Sequence, residues 1–392
     1  MKLRALPVFM AFLAMGFVDA VGPFVGLAKN EFHLSNTAAA LTPFVGLSMF
    51  GLLSIPAGVL QNKHGKKTVL LLGLAVALAG VLIASLGLHS FAEFLAAMVL
   101  LGAGTAVLQV AGNPLMRDVS PEGKYARNLS LAQFVKAIGS LCGPLLPVLA
   151  ARYFGLSWKA IFPIFSVALA LTLAAAWGLK LPSGGAGAAA ATLRSCLALL
   201  KNPYVLAMTC GIFLYVGAEV SVSAGIPLFL RERFGLEIGQ VGLLGTGLFF
   251  MALTVGRLGG GMILNWVKPA TFLVATCVLS LAGLAVILVP AGSVAAAGFF
   301  LTGLGFANVF PLIFSSAVDR MPERSNEISG LLVTAIVGGA VLPMAMGAVA
   351  DRTSVRTSLA VPALAIAYVF ALSLAQLRKR RAEGPETGAA AA

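Results

Sequence analysis

Long apolar runs without charge recur along this chain, and no other feature restricts its fold as much. At 1.5 Å per residue, a helical run of about 20 residues reaches across a hydrocarbon layer of about 30 Å. Twelve such runs are read here, over 5–28, 38–61, 68–88, 91–115, 128–151, 158–180, 203–230, 238–264, 269–290, 293–318, 327–350 and 356–378. The alternation over about ten residues that marks a membrane barrel strand is absent from the sequence, so the runs read as helices. With 59% hydrophobic and 10% charged residues, the chain is far more apolar than a soluble domain, where about a quarter of residues are charged. An all-α membrane protein with twelve transmembrane helices is expected.

The formal net charge of +13 would suggest a nucleic-acid partner in a soluble chain. Here the basic residues are sorted by loop. With both termini cytoplasmic, 18 of the 27 Lys and Arg fall on the inner side, among them Lys63, Lys66, Lys67, Arg117, Arg127, Arg320 and Arg324, and 7 fall outside. That asymmetry orients a multi-pass protein of the cell inner (plasma) membrane and accounts for the charge without any nucleic acid. The basic start followed by an apolar run resembles a leader, but the run is long and carries Asp19, so an uncleaved first span is expected. Cys142, Cys196, Cys210 and Cys277 lie in spans or the central linker, so no disulfide is expected.

Polar residues deep in the spans mark the candidate site, because an ionisable group there costs about 2.5 kcal/mol or more unless it has a partner or a wet cavity. Lys136 sits near the middle of span 5, on a polar stripe with Asn128, Gln133 and Ser140 at helical spacing. Asp19 lies near the midplane in span 1 and is too short to reach water from there. In span 4, Gln109 and Asn113 are one turn apart, Gln109 at the same depth as Lys136, about 13 Å from the inner boundary. Gly112 and Pro114 are expected to loosen that helix. An interhelical hydrogen bond that only joins spans 4 and 5 is the alternative reading. Span 7 carries Tyr215 one turn before Glu219, suited to a sugar or a cation, or else to a buried structural carboxyl. Arg257 in span 8 reads as a clamp for an acid of the cytoplasmic loops. Span 10 places Asn308 beside Phe310 and Pro311, and in span 11 Gly338, Gly339 and Pro343 permit bending.

The run from Gly58 to Lys67 resembles the G-x-x-x-D-x-x-G-R-R loop of the major facilitator superfamily, with Asn62 in the Asp position, and Gly261 to Lys268 echoes it six spans later. Two pseudo-symmetric six-helix bundles follow, over 1–180 and 203–378, joined by a cytoplasmic linker at 181–202 and followed by a disordered tail at 379–392. Tyr215 to Val220, Gly112-Asn113-Pro114, Leu131-Ala132-Gln133 and Ile336 to Ala340 are similar to the fucose and glucose/galactose permeases of that superfamily. The resemblance implies a carrier with its substrate site between the halves and proton-driven uptake of a monosaccharide. Gln109 stands where the fucose permease pattern has a glutamate and Lys136 where it has an asparagine. Asp19 comes about one turn before the family's acid.

The function expected is secondary active transport of a hexose or deoxyhexose by alternating access. Asp19 and Lys136 form the proton-coupling pair. Gln109, Asn113, Gln133, Lys136, Glu219 and Asn308 bind sugar hydroxyls, and Tyr215 and Phe310 stack on its apolar face. Transport of an anionic solute with Lys136 as counter-ion, and drug efflux, are the alternatives. No enzyme is expected, since the sequence holds no nucleophile and base set, and the glycine-rich run at Gly256 to Gly261 lies within a span. Neither cofactor nor metal is expected, and a monomer is.

Overall fold

The computed structural model describes residues 6–19, 28, 31–34, 36–179, 192–235 and 246–382. The side chain of Asp19 lies outside the described residues, as do most of the linker and the tail beyond Ala382. Helix occupies the described part of all twelve expected spans. The first six are α1 (Leu6–Asp19), α2 (Asn36–His64), α3 (Lys66–Ser85), α4 (Phe91–Val119), α5 (Tyr125–Phe154) and α6 (Ile161–Trp177). A short linker helix, α7 (Leu193–Ala198), leads to α8 (Pro203–Phe234), α9 (Leu248–Ile263) and α10 (Pro269–Ile287). Span 10 is divided into α11 (Gly292–Phe306) and α12 (Val309–Arg320). Span 11 is divided into α13 (Ser325–Thr334) and α14 (Gly338–Arg352), with a 3-10 turn over Ala335–Val337 between them. Span 12 comprises α15 (Val355–Ser358) and α16 (Ala360–Ala382), which runs past the expected end.

The sequence explains where helices turn and break. Gly65 connects α2 to α3 with φ of 85°, a left-handed conformation that costs glycine little. Pro311 has no N–H, so the carbonyl of Ala307 loses its helical donor, and span 10 opens at Ala307–Asn308. Two expectations change. Pro114 does not loosen α4, which runs unbroken to Val119. The carbonyl Pro114 leaves without a donor, that of Val110, accepts a hydrogen bond from Ser329 Oγ at 2.7 Å, one of the ways membrane helices tolerate proline. Pro343 likewise lies inside α14, and span 11 departs from α-helix before it, where Gly338 packs against the backbone of Phe213.

Helices α1 to α6 pack on one another chiefly through the pairs α3 with α4, α2 with α4 and α1 with α5, and the later helices through α10 with α11 and α8 with α14 and α16. Between these groups, α2 meets α13 and α5 meets α9. The crossing bonds cluster near the end that carries the basic loops. There Arg117 Nε donates to Asp319 Oδ1 at 2.9 Å, Arg127 Nη1 to Asn265 Oδ1 at 3.1 Å and Asn326 Nδ2 to Asn62 Oδ1 at 3.4 Å. The backbones also touch there. A Cβ on Gly58 would lie 2.8 Å from the Asn326 carbonyl oxygen and 3.2 Å from Gly330 Cα. The linker helix is tied to the same end, with Ser195 Oγ donating to Glu327 Oε1 at 2.7 Å and Arg324 bonding that carboxylate at 2.6 and 2.9 Å.

Candidate functional site

The polar side chains of the spans fall into two groups, one in each half of the chain. In the first, α1 and α5 cross at Gly16 and Gly139. A Cβ on Gly16 would collide with the Lys136 carbonyl oxygen, and one on Gly139 with that of Leu13. This crossing sets Gly16, one turn before Asp19, against the backbone of Lys136, Gly139 and Ser140. The Asp19 side chain is outside the described residues, so the expected contact with the Lys136 ammonium stays an expectation. Lys136 itself is half-buried.

Gln109, Asn113 and Gln133 are 2%, 0% and 3% exposed. The Asn113 amide is buried with neither its oxygen nor its nitrogen bonded, and Gln133 Nε2 is in the same condition. Leaving such a group dry and unbonded costs about 1–3 kcal/mol. The Asn113 backbone carbonyl accepts from Tyr125 Oη at 3.0 Å. Two members of the span 5 stripe have local roles. Asn128 accepts Arg127 Nε at 3.0 Å and donates to Ser120 Oγ at 2.9 Å, so it belongs to the basic loop. Ser140 Oγ donates back to the Lys136 carbonyl at 3.2 Å.

The second group surrounds the break in span 10. Tyr215 is fully buried, its ring and that of Phe306 meeting edge to face at 5.8 Å, so it has no exposed face to stack on a sugar here. Its hydroxyl hydrogen-bonds Glu219 Oε2 and lies 2.9 Å from the Phe306 carbonyl oxygen. Arg257 Nη2 is 3.5 Å from Glu219 Oε1. Arg257 Nε donates at 3.4 Å to the carbonyl of Ala307, the one that Pro311 deprives of a helical donor. The partner of Arg257 is therefore a midspan acid rather than one of the cytoplasmic loops. Sequence spacing misses the pair because the two residues sit on separate helices, although each was conspicuous alone as a charge within a span.

Asn308 Nδ2 donates to the Gly256 carbonyl at 2.7 Å, while its Oδ1 is buried and unbonded. A Cβ on Gly260 would run into the Asn308 side chain, and one on Gly256 would lie 2.6 Å from Ala307 Cβ. The glycine-rich run of span 8 is thus the seat against which the broken helix packs. Phe310 is 7% exposed, with its ring 5.5 Å from that of Phe314. Among the described residues no group of three or more His, Cys, Asp or Glu could hold a metal ion.

The family model of the Major Facilitator Superfamily matches residues 8–342. The chain belongs to this superfamily. It is accordingly a multi-pass membrane transporter and not an enzyme, with the expected twelve-helix fold. It is similar to the glucose/galactose transporter of Brucella abortus, 27% identical over 373 residues that cover 92% of this chain and 90% of that protein. The putative glucose/galactose transporter of Helicobacter pylori is 29% identical over 394 residues, covering 93% and 94%. Its fold matches the crystal structure of the E. coli fucose:proton symporter with a TM-score of 0.84, at 18% identity over 96% of this chain and 98% of that one.

Proposed function

We propose that this transporter carries a neutral monosaccharide, a hexose or deoxyhexose, into the cell with protons, by alternating access about a site between its halves. The observation that carries the reading is the Asn113 amide, fully buried and without a partner at either polar atom. An amide offers one acceptor and a two-hydrogen donor, the complement of adjacent sugar hydroxyls. Gln109, Gln133, Lys136, Glu219 and Asn308 complete the polar set, with Phe310 supplying an aromatic wall and Tyr215 holding Glu219 from behind. The names of the relatives from Brucella abortus and Helicobacter pylori support the substrate class, and that of the E. coli symporter supports the proton.

The basic end faces the cytoplasm in this reading, as the loop charges favour, and the crossing bonds make it the closed side. The molecule acts as a monomer in the inner membrane, with the termini and linker inside. The coupling pair is Asp19 with Lys136, supported by the close crossing of their helices at Gly16 and Gly139. A pair of opposite charges favours both ionised forms and desolvation opposes them, so wetting and drying of the site would move a proton.

A second reading keeps the fold and makes Lys136 the counter-ion of a sugar acid or carboxylate. A thermal-shift panel of hexoses, deoxyhexoses and sugar acids separates the two, because a ligand of the folded form raises its Tm. Neutral sugars are expected to raise the Tm, and a response confined to the acids would replace the first reading with the second.

A further inference from the structure

The geometry points to Glu219 as a second proton carrier of the transport cycle, serving the half of the molecule that contains the broken span 10. This rests on the carrier reading above and gives Glu219 a task besides contact with substrate. Two ionisable groups face its carboxyl, Tyr215 from one turn earlier on α8 and Arg257 from α9. Among the described residues, the other charges on elements packed against α8 lie elsewhere. Arg320 lies 4.4 Å over the Tyr204 ring, Asp319 bonds Arg117, and Arg324 and Glu327 bond each other. Lys201, Asp351, Arg352, Arg356 and Arg378 stand at the ends of their elements.

Counting hydrogens decides how the carboxyl is used. Tyr215 Oη lies between Glu219 Oε2 and the Phe306 carbonyl oxygen, and it has one hydrogen to donate. While Glu219 is ionised, that hydrogen serves only one of the two acceptors. Once Glu219 is protonated, its O–H donates to the phenol oxygen, the phenol O–H turns to Phe306, and both bonds are made. Arg257 pulls the other way, since a neighbouring positive charge favours the carboxylate. At 3.5 Å, however, it stands outside the roughly 2.7–2.9 Å of a charge-assisted bond, and its Nε is turned to Ala307. The carboxyl is thus held between a phenol network that gains a bond on protonation and a guanidinium that gains attraction on ionisation. Its side chain is 19% exposed, so the packed helices do not seal it.

The step is a plain proton transfer. The carboxylate takes a proton from water on the open side and becomes the acid, then returns that proton to water on the other side and faces Arg257 as an anion again. Phe306 ends α11, and Ala307 is the first residue of the break that precedes α12. Their carbonyls are held by Tyr215 and Arg257, so gain or loss of the proton redistributes the two contacts that stitch the break.

Infrared difference spectroscopy of the purified protein, between alkaline and acid pH in H2O and D2O, tests this without knowledge of the substrate. A carboxylic acid C=O band that shifts in D2O is expected in the wild type and in Asp19→Asn, lost in Glu219→Gln and moved in Glu219→Asp, with melting curves confirming that each variant is folded. In liposomes, Glu219→Gln is expected to lose accumulation of sugar driven by a pH gradient. A band unchanged in both Glu219 variants would overturn the assignment. If the wild type carries no sugar, the transport reading fails while the infrared result still decides the role of Glu219.

Discussion

Ser329 and Arg257 do the same work from different helices, each supplying a donor to a carbonyl that a proline elsewhere has left without one. Pro114 deprives Val110, and Ser329 answers at 2.7 Å. Pro311 deprives Ala307, and Arg257 answers at 3.4 Å. In an interior that offers no water to the backbone, such a repair replaces a bond the helix itself cannot make. Ser329→Ala should cost about 1–3 kcal/mol, because the Val110 carbonyl is left buried and unbonded. A clear fall in Tm is expected, and an unchanged Tm would show that the bond contributes nothing. At the far end from the basic loops, Glu31 pairs with Lys159 at 2.7 Å, and Trp158 Nε1 donates to it at 3.4 Å. The hydrogen bond from Lys159, with that from Trp158, holds the carboxyl below its ordinary value of 4.5. Because the folded-state value is the lower one, the stabilisation is complete above the ordinary value and is lost as pH falls through the folded one. Both side chains are partly solvated, so the effect is small. The Tm difference between wild type and Glu31→Gln should be present at neutral pH and vanish in acid, and a difference that persists in acid would point to packing instead.

At the scale of elements, the positions of the twelve helices follow from hydrophobic run length alone, because the bilayer requires each span to satisfy its own backbone. Their interruptions were only half legible. Asn308 and Pro311 mark span 10 as breakable, yet Pro114 sits in an unbroken α4. The difference lies in a partner from another helix, which no periodicity records. The same limit hid the Glu219 and Arg257 pair and put Asn128 on the inward stripe of span 5 when Arg127 and Ser120 occupy it. The burial of Gln109, Asn113 and Gln133 was legible, since a polar group inside an apolar run is kept away from lipid. The α1 and α5 crossing depends on two glycines whose Cβ positions are filled by the opposite backbone. Gly139→Leu should force these helices apart and yield protein that aggregates on size-exclusion chromatography. A monodisperse, fully active variant would show that the crossing is dispensable.

For the whole molecule, the contacts between α2 and α13 and between α5 and α9, with the Arg117 to Asp319 pair, hold the two halves together at the basic end. The two polar groups, around Lys136 and around Glu219, belong one to each half of the chain. The proposed alternating access requires these contacts at the basic end to part as the halves close at the other end. A carrier of this kind does work only when substrate movement is tied to that of an ion. The direct test is uptake of labelled hexoses and L-fucose by proteoliposomes under an imposed pH gradient. The account predicts accumulation above the outside concentration when the exterior is acid, abolished when the gradient is collapsed. Equilibration to equal concentrations regardless of the gradient, or no entry of any neutral sugar, would contradict it.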